Sequence, residues 1–119
     1  MSKPFADGAG SGCHAHVSLT SLDGGENVFG DDSDPEGTSG LCRQFMAGQL
    51  RHARGIYTLL APTVNCLKRR RTHTFSPTNI SWGTEDRTAF LRIKSGSAAN
   101  RSNTIAPPAI GVFVGKVYP

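Results

Sequence analysis

His14 and His16, one residue apart in the stretch GSGCHAHVSL, are the first residues in the chain whose types and spacing suggest chemistry. On a β-strand, residues two apart project from one face about 6 to 7 Å from each other, so one metal ion or one phosphate could meet both imidazoles. The adjoining glycines allow a ligand to approach the backbone closely. A Mg²⁺ site also needs oxygen ligands, and no carboxylate stands nearby at a convincing spacing. Two histidines on a solvated strand face are the plain alternative, and a metal-binding HxH protein without catalysis is a further one.

The cations form two groups. Lys68, Arg69, Arg70 and Arg71 are contiguous, the kind of run that suggests a polyanion such as RNA. No aromatics are interleaved for base stacking, however, and no helix-turn-helix or RNP-like pattern surrounds the run. A solvated loop accounts for it equally well. Arg87 and Arg92 flank a short apolar segment, where a guanidinium either binds a carboxylate or phosphate bidentately or pairs with a neighbouring strand. Cys13, Cys42 and Cys66 are odd in number and widely spaced, which excludes a disulfide framework and a CxxC metal knuckle and leaves them as small buried hydrophobes. His52 reads as structural, and His73 has no assignable place.

These groups sit on a chain divided by charge. Residues 1–40 carry one Lys against seven acids, and residues 41–119 carry twelve Lys and Arg against two. A half so basic implies a phosphate-rich partner, either a nucleotide or a nucleic acid. At 119 residues and 37% hydrophobic composition, the chain is one domain at most. No apolar run approaches the roughly 20 residues that cross a bilayer. Met1 to Gly10 lacks the basic and apolar regions of an export signal. The expectation is a cytoplasmic chain with no membrane partner.

The elements that position these residues follow from periodicity. Residues 1–12 are rich in glycine and read as a loop. From Gly12 the sequence alternates, with Cys13, Ala15, Val17 and Leu19 on one face and His14, His16 and Ser18 on the other, which predicts a half-buried strand. Residues 20–38 form a polar, acidic surface excursion. Ser39 is placed to cap a helix from about Gly40 to Ala61, whose apolar stripe is Leu41, Phe45, Leu50, Ala53, Tyr57 and Leu60. Gly48 and Gly55 weaken it by about 1 kcal/mol each relative to Ala, and Pro62 ends it. Strands are expected at Asn79 to Trp82 and Thr88 to Ile93, joined as a hairpin by Gly83 to Arg87. The segment Lys94 to Pro119 lacks acids, and its composition does not continue the pattern before it.

Three motifs in order resemble the glutamine synthetase family. KPFADGAGSGCHAHVSL is similar to its KP, glycine-rich loop and HxH strand. LLAPTVNCLKRR resembles its APTVNSYKRL segment, and SPTNISWGTEDRTAFLRI its NRSAxxRI segment. The nearest flavour is the branch that includes glutamylamide and glutamylpolyamine synthetases. The resemblance spans about residues 3–93 and implies an α+β fold, a partial antiparallel sheet with one long helix. It also implies an ATP-dependent ligase that phosphorylates the γ-carboxylate of glutamate and displaces the phosphate with ammonia or an amine. On this reading ATP and Mg²⁺ or Mn²⁺ are the cofactors, there is no nucleic-acid partner, and the parent enzyme is a homo-oligomeric ring. By the same resemblance His14 matches a metal ligand, and His16 and Ser18 match ATP contacts. Gly10 matches the glutamate pocket, and Arg69 matches the arginine that holds the glutamate carboxylate. Arg87 and Arg92 match arginines that bind the phosphates and stabilise the transferring phosphoryl group.

Departures from the pattern shape the remaining expectations. Ala9 stands where the family has asparagine, which leaves the substrate amino group short of a partner. Phe75 stands near the position of the flap glutamate that helps deprotonate ammonium. No E-x-R segment follows Ile93, and the family's other metal glutamates lie upstream of the residue that Met1 matches. The chain therefore reads as a fragment or frameshifted product: a partial catalytic domain over residues 1–94 and a divergent tail over 95–119. It should be inactive alone.

Overall fold

The structure, a computed structural model, describes residues 5, 7, 10, 12, 14–68, 77–105 and 114–117. Its elements are β1 (Ala15–Leu19), α1 (Gly40–Arg51), α2 (Ala53–Leu60), α3 (Val64–Lys68), β2 (Trp82–Thr84), β3 (Leu91–Ile93), a 3₁₀ turn (Ala98–Asn100), β4 (Asn103–Ile105) and β5 (Val114–Val117). Five strands form one sheet in the order β2-β3-β4-β1-β5. The architecture is α+β, as expected, but the sheet is mixed. β4 runs antiparallel to both β1 and β3, whereas β1 with β5 and β2 with β3 are parallel.

Two expectations are corrected here. The hairpin between the last two expected strands is instead a parallel pair, Trp82 opposite Leu91 and Thr84 opposite Ile93. Its connection folds back because Asp86 Oδ1 accepts hydrogen bonds from the Thr88 amide at 2.8 Å and the Thr88 hydroxyl at 2.7 Å. That side-chain turn reverses the chain, and strands of three residues require only a short return. Glu85 helps with a left-handed φ of 55°. The single long helix is likewise two. His52, at φ −99° and ψ 10°, leaves the helical region and separates α1 from α2. The break lies between Gly48 and Gly55, where helix propensity is lowest.

Ser39 is the N-cap of α1: its Oγ accepts from the Cys42 amide at 3.1 Å and donates to the Val28 carbonyl at 2.6 Å. Below that cap, the stripe drawn from apolar residues packs against the core at Phe45, Leu50, Ala53, Tyr57 and Leu60, and the most deeply buried positions lie along its edge. Cys42, Met46, Gln49 and Ala53 are buried and Leu41 is exposed. Gln49 lies on this face because its Oε1 accepts a hydrogen bond from Nδ2 of the fully buried Asn103 on β4. The core joins Phe29, Cys42, Met46 and Ala53 to Leu91 and Ile93 of β3 and to Phe90 just before it, with Ala15 and Leu19 of β1 packed against it. The Phe29 and Phe45 rings tilt at 47° with centroids 5.3 Å apart, a favourable aromatic arrangement.

The segment after Lys94 is tied to the acidic excursion. Arg101 is buried and donates from Nη1 to the Lys94 carbonyl at 2.8 Å and from Nη2 to the Gly96 carbonyl at 3.0 Å. Asn27 Nδ2 donates to the carbonyls of Arg101 at 2.6 Å and Ala99 at 3.2 Å. Arg43 anchors the excursion to α1 through both carboxylate oxygens of Asp34, at 2.7 and 2.8 Å. Its guanidinium holds the Asp34 carboxyl below the usual carboxylate range, and the carboxylate raises the arginine in turn.

Candidate functional site

Strand register assembles the site. Ala15 and Leu19 face the helices, so His14, His16 and Ser18 belong to the opposite face of β1. His16 stands opposite Thr104 of β4, and Thr104 opposite Arg92 of β3. Arg92 stands opposite Gly83 of β2. Directly paired residues share a face, so His16 and Arg92 belong to one row, two strand spacings or roughly 10 Å apart at the backbone. The His14 and His16 rings lie with centroids 6.5 Å apart and tilted by 50°, close to the separation expected from the HxH spacing.

Arg92 is the most constrained of these groups. It is 8% exposed, and its Nε is buried without a hydrogen-bond partner among the described residues. A buried guanidinium with an unpaired donor is costly unless an acceptor is supplied. On a face that also carries two imidazoles, the matching ligand is an oxyanion. Arg87, five residues earlier, is exposed at the turn into β3. Ser18 and Gly10 are half-buried. Arg69 lies outside the described residues, as do Arg70, Arg71, His73, Phe75, Ala9 and Cys13. The structure thus brings His14, His16, Ser18 and Arg92 to one face, while Lys68, the first of the basic run, ends α3.

The donor set suits a phosphate better than a metal. Among the described residues no three of His, Cys, Asp and Glu come together. Two imidazoles alone do not fit a Mg²⁺ site, which requires mainly oxygen ligands. Cys42 and Cys66 are buried. Burial pushes the Cys42 thiol up, the reverse of what a nucleophile needs.

Asp86, Thr88 and Gly83 were not anticipated from the sequence. Asp86 builds the turn that carries Arg87 and leads into β3. A Cβ at Gly83 would lie 2.9 Å from Asp86 Cβ and 3.5 Å from its Oδ2, so the aspartate occupies the space above Gly83, next to Arg92 in the register. The Thr88 hydroxyl and amide, with a smaller contribution from the Arg92 charge, hold the Asp86 carboxyl below the usual range. The D-x-T spacing at 86–88 is the sequence signal that marks such a turn.

Known proteins are similar to this sequence. Residues 1–105 match the family described as "Glutamine synthetase, catalytic domain". Type-1 glutamine synthetase 2 of Dictyostelium discoideum is 40% identical over 102 residues, 86% of this chain and 20% of its own length. The glutamine synthetase of Thermotoga maritima is 37% identical over 116 residues, 96% of this chain and 26% of its own. Gamma-glutamylputrescine synthetase PuuA of Escherichia coli is 41% identical over 101 residues, 84% of this chain and 21% of its own. The chain therefore spans about a fifth to a quarter of the length of these relatives. Among the described residues no helix is long and apolar enough to cross a membrane.

Proposed function

The chain belongs to the glutamine synthetase catalytic-domain family, and on that premise we propose that it supplies the phosphate-facing part of an ATP-dependent glutamate–ammonia or glutamate–amine ligase. In that reaction the γ-phosphoryl group of ATP passes to the γ-carboxylate of glutamate, giving γ-glutamyl phosphate and ADP. Ammonia or an amine then attacks the acyl carbon, and phosphate leaves as the amide forms. The single observation that carries this reading is the row in which His16 and the buried Arg92 are aligned through β4. Phosphoryl transfer is accelerated mainly by positioning and by cations aimed at the developing charge, and a guanidinium held on a central strand is already positioned.

Within this reading Arg92 and Arg87 bind the phosphates and stabilise the transferring group, and His16 and Ser18 contact the nucleotide. Gly10 and Arg69 serve the glutamate. His14 would hold Mg²⁺ or Mn²⁺ only together with carboxylates supplied from outside this chain, and the ion would screen the phosphate charge. The amine acceptor is either ammonia, as in the name of the Thermotoga maritima relative, or a larger amine, as in that of PuuA. The parent enzyme is a cytoplasmic homo-oligomeric ring without a nucleic-acid partner. The catalytic piece includes residues 95–105 as well as 1–94, because the family match and β4 both reach residue 105, and the chain alone has no ligase activity.

Two measurements test this. Tripolyphosphate and ATP should perturb the NMR signals of His14, His16 and Arg92 and leave those of α1 unchanged. A phosphate-release assay with glutamate, ammonium, ATP and Mg²⁺ should stay at background. Perturbation confined to other residues overturns the site, and robust turnover overturns the claim that the chain is incomplete.

A further inference from the structure

Asp86 immediately precedes Arg87 in sequence and lies over the glycine that is paired with Arg92, and nothing in the proposed reaction uses it. Its carboxylate has two structural relationships. Oδ1 gathers the Thr88 amide and hydroxyl, which fixes the backbone on which Arg87 sits and from which β3 starts. The rest of the side chain lies over Gly83, where only the absence of a Cβ makes room for it. Gly83 stands directly opposite Arg92 in the parallel pair, so the carboxylate shares the face of the guanidinium.

We propose that Asp86 is a positioning residue for the arginine pair: its Oδ1 sets the turn that aims Arg87 and Arg92 at phosphate, and its negative charge offsets part of the positive charge of that face. This rests on the oxyanion-site reading above. The two roles act in opposite directions on anion affinity. The turn strengthens binding by holding the guanidinium groups in place, which a flexible loop would not do. The charge weakens binding, because a carboxylate on the same face repels phosphate. In exchange, it gives the buried guanidinium a counter-charge when no phosphate is bound, which reduces the cost of burying Arg92. Gly83 belongs to the same device, since any side chain there would displace the aspartate.

Substitutions separate the roles. Asp86→Asn keeps an oxygen acceptor for Thr88 and removes the charge. Asp86→Ala removes both. Gly83→Ala leaves Asp86 intact and pushes it aside. Tripolyphosphate affinity of the full chain, measured by isothermal titration at low salt, should rise roughly two- to fivefold in Asp86→Asn, the range expected for one partly screened charge. It should fall about tenfold in Asp86→Ala and Gly83→Ala, in which the guanidinium groups lose their fixed aim. A purely structural role predicts no gain in Asp86→Asn, so that gain distinguishes the proposal.

A second measurement needs no ligand. Slow exchange of the Thr88 amide and a distinct Arg92 Nε–Hε resonance should persist in Asp86→Asn and vanish in Asp86→Ala. If Arg92→Ala abolishes tripolyphosphate binding while both Asp86 variants bind as the wild type does, the proposal is wrong and the phosphate site stands. If the wild type and Arg92→Ala fail alike to bind tripolyphosphate, the site reading fails. The resonances then decide the positioning role, and an unchanged Arg92 signal in Asp86→Ala overturns it.

Discussion

Replacing Gly37 by alanine should destabilise the fold far more than the same change at Gly25, although the two glycines share nearly the same backbone conformation. Gly37 has φ +64° and Gly25 φ +68°, so each substitution forces an L-residue into the left-handed region at a cost of about 1 kcal/mol. At Gly25 nothing lies within 4 Å of the added methyl group, and that backbone cost is the whole effect. At Gly37 the methyl would overlap Arg101 Nη2, with Cζ only 3.2 Å away. The guanidinium must then move and give up one or both of its bonds to the carbonyls of Lys94 and Gly96. Losing one such charged hydrogen bond from a buried group costs roughly 1.5 to 3 kcal/mol, so Gly37→Ala should total about 2.5 to 4 kcal/mol. Urea unfolding followed by circular dichroism measures the difference. With a slope of about 1 to 2 kcal/mol per molar for a chain of this size, the Gly37→Ala midpoint should fall roughly 0.75 to 3 M below that of Gly25→Ala. The β4 amides, which Arg101 leads into, should lose hydrogen-exchange protection first. Equal midpoints for the two variants would refute the claim that the Arg101 guanidinium, seated beside Gly37, braces the segment from Lys94 to Arg101.

Other expectations follow from the same structure. Ser39→Ala removes both the cap on α1 and the bond to the Val28 carbonyl, and thermal unfolding should report a loss of about 1 to 2 kcal/mol; no change would show that water replaces the cap. Asp31, Asp34, Glu85 and Asp86 are all held below their ordinary values, each chiefly by hydrogen bonds to neighbouring donors. Their contribution is therefore complete above the unfolded carboxylate range and is lost as pH falls through the lower folded values. Stability should decline on acidification below about pH 4, and Asp34→Asn should flatten that decline; a pH-independent midpoint between pH 5 and 2 would contradict it. Arg92→Lys should fail to restore the phosphate affinity lost in Arg92→Ala, because an ammonium cannot reproduce the planar donor set, whereas recovery in a titration would show that charge alone suffices. RNA should bind weakly and without the steep salt dependence of a dedicated nucleic-acid surface, and a tight, salt-sensitive complex would favour the polyanion reading instead.

Much of the site was legible because strand alternation is a local property. Cys13 to Leu19 alternates whatever follows it, so placing His14, His16 and Ser18 on one face required no knowledge of neighbouring strands. The cap at Ser39 was legible for the same reason. Gln49 was not, because a buried amide is explained only by Asn103, 54 positions later in the chain. The sense of the pairing between β2 and β3 was also hidden. A short loop between two strand-like segments usually means a hairpin, and it was the hydrogen bonds of Asp86 that reversed the expectation. The row from His16 to Arg92 could not be read locally at all. It depends on β4, drawn from the segment whose composition appeared to break with everything before it.

That position of β4 has a consequence for the order in which the molecule can assemble. β1 and β3 do not touch each other in the sheet; Asn103–Ile105 lies between them and bonds to both. During synthesis the helices and the Asp86 turn, built from contacts close in sequence, can form early. The sheet must wait until the strand at 103–105 has emerged and the chain has closed a loop back to residue 15, with the entropic cost that such closure carries. Folding dominated by so distant a pairing is slow. Until that late step His16 and Arg92 have no common frame, so their row forms all at once rather than strand by strand.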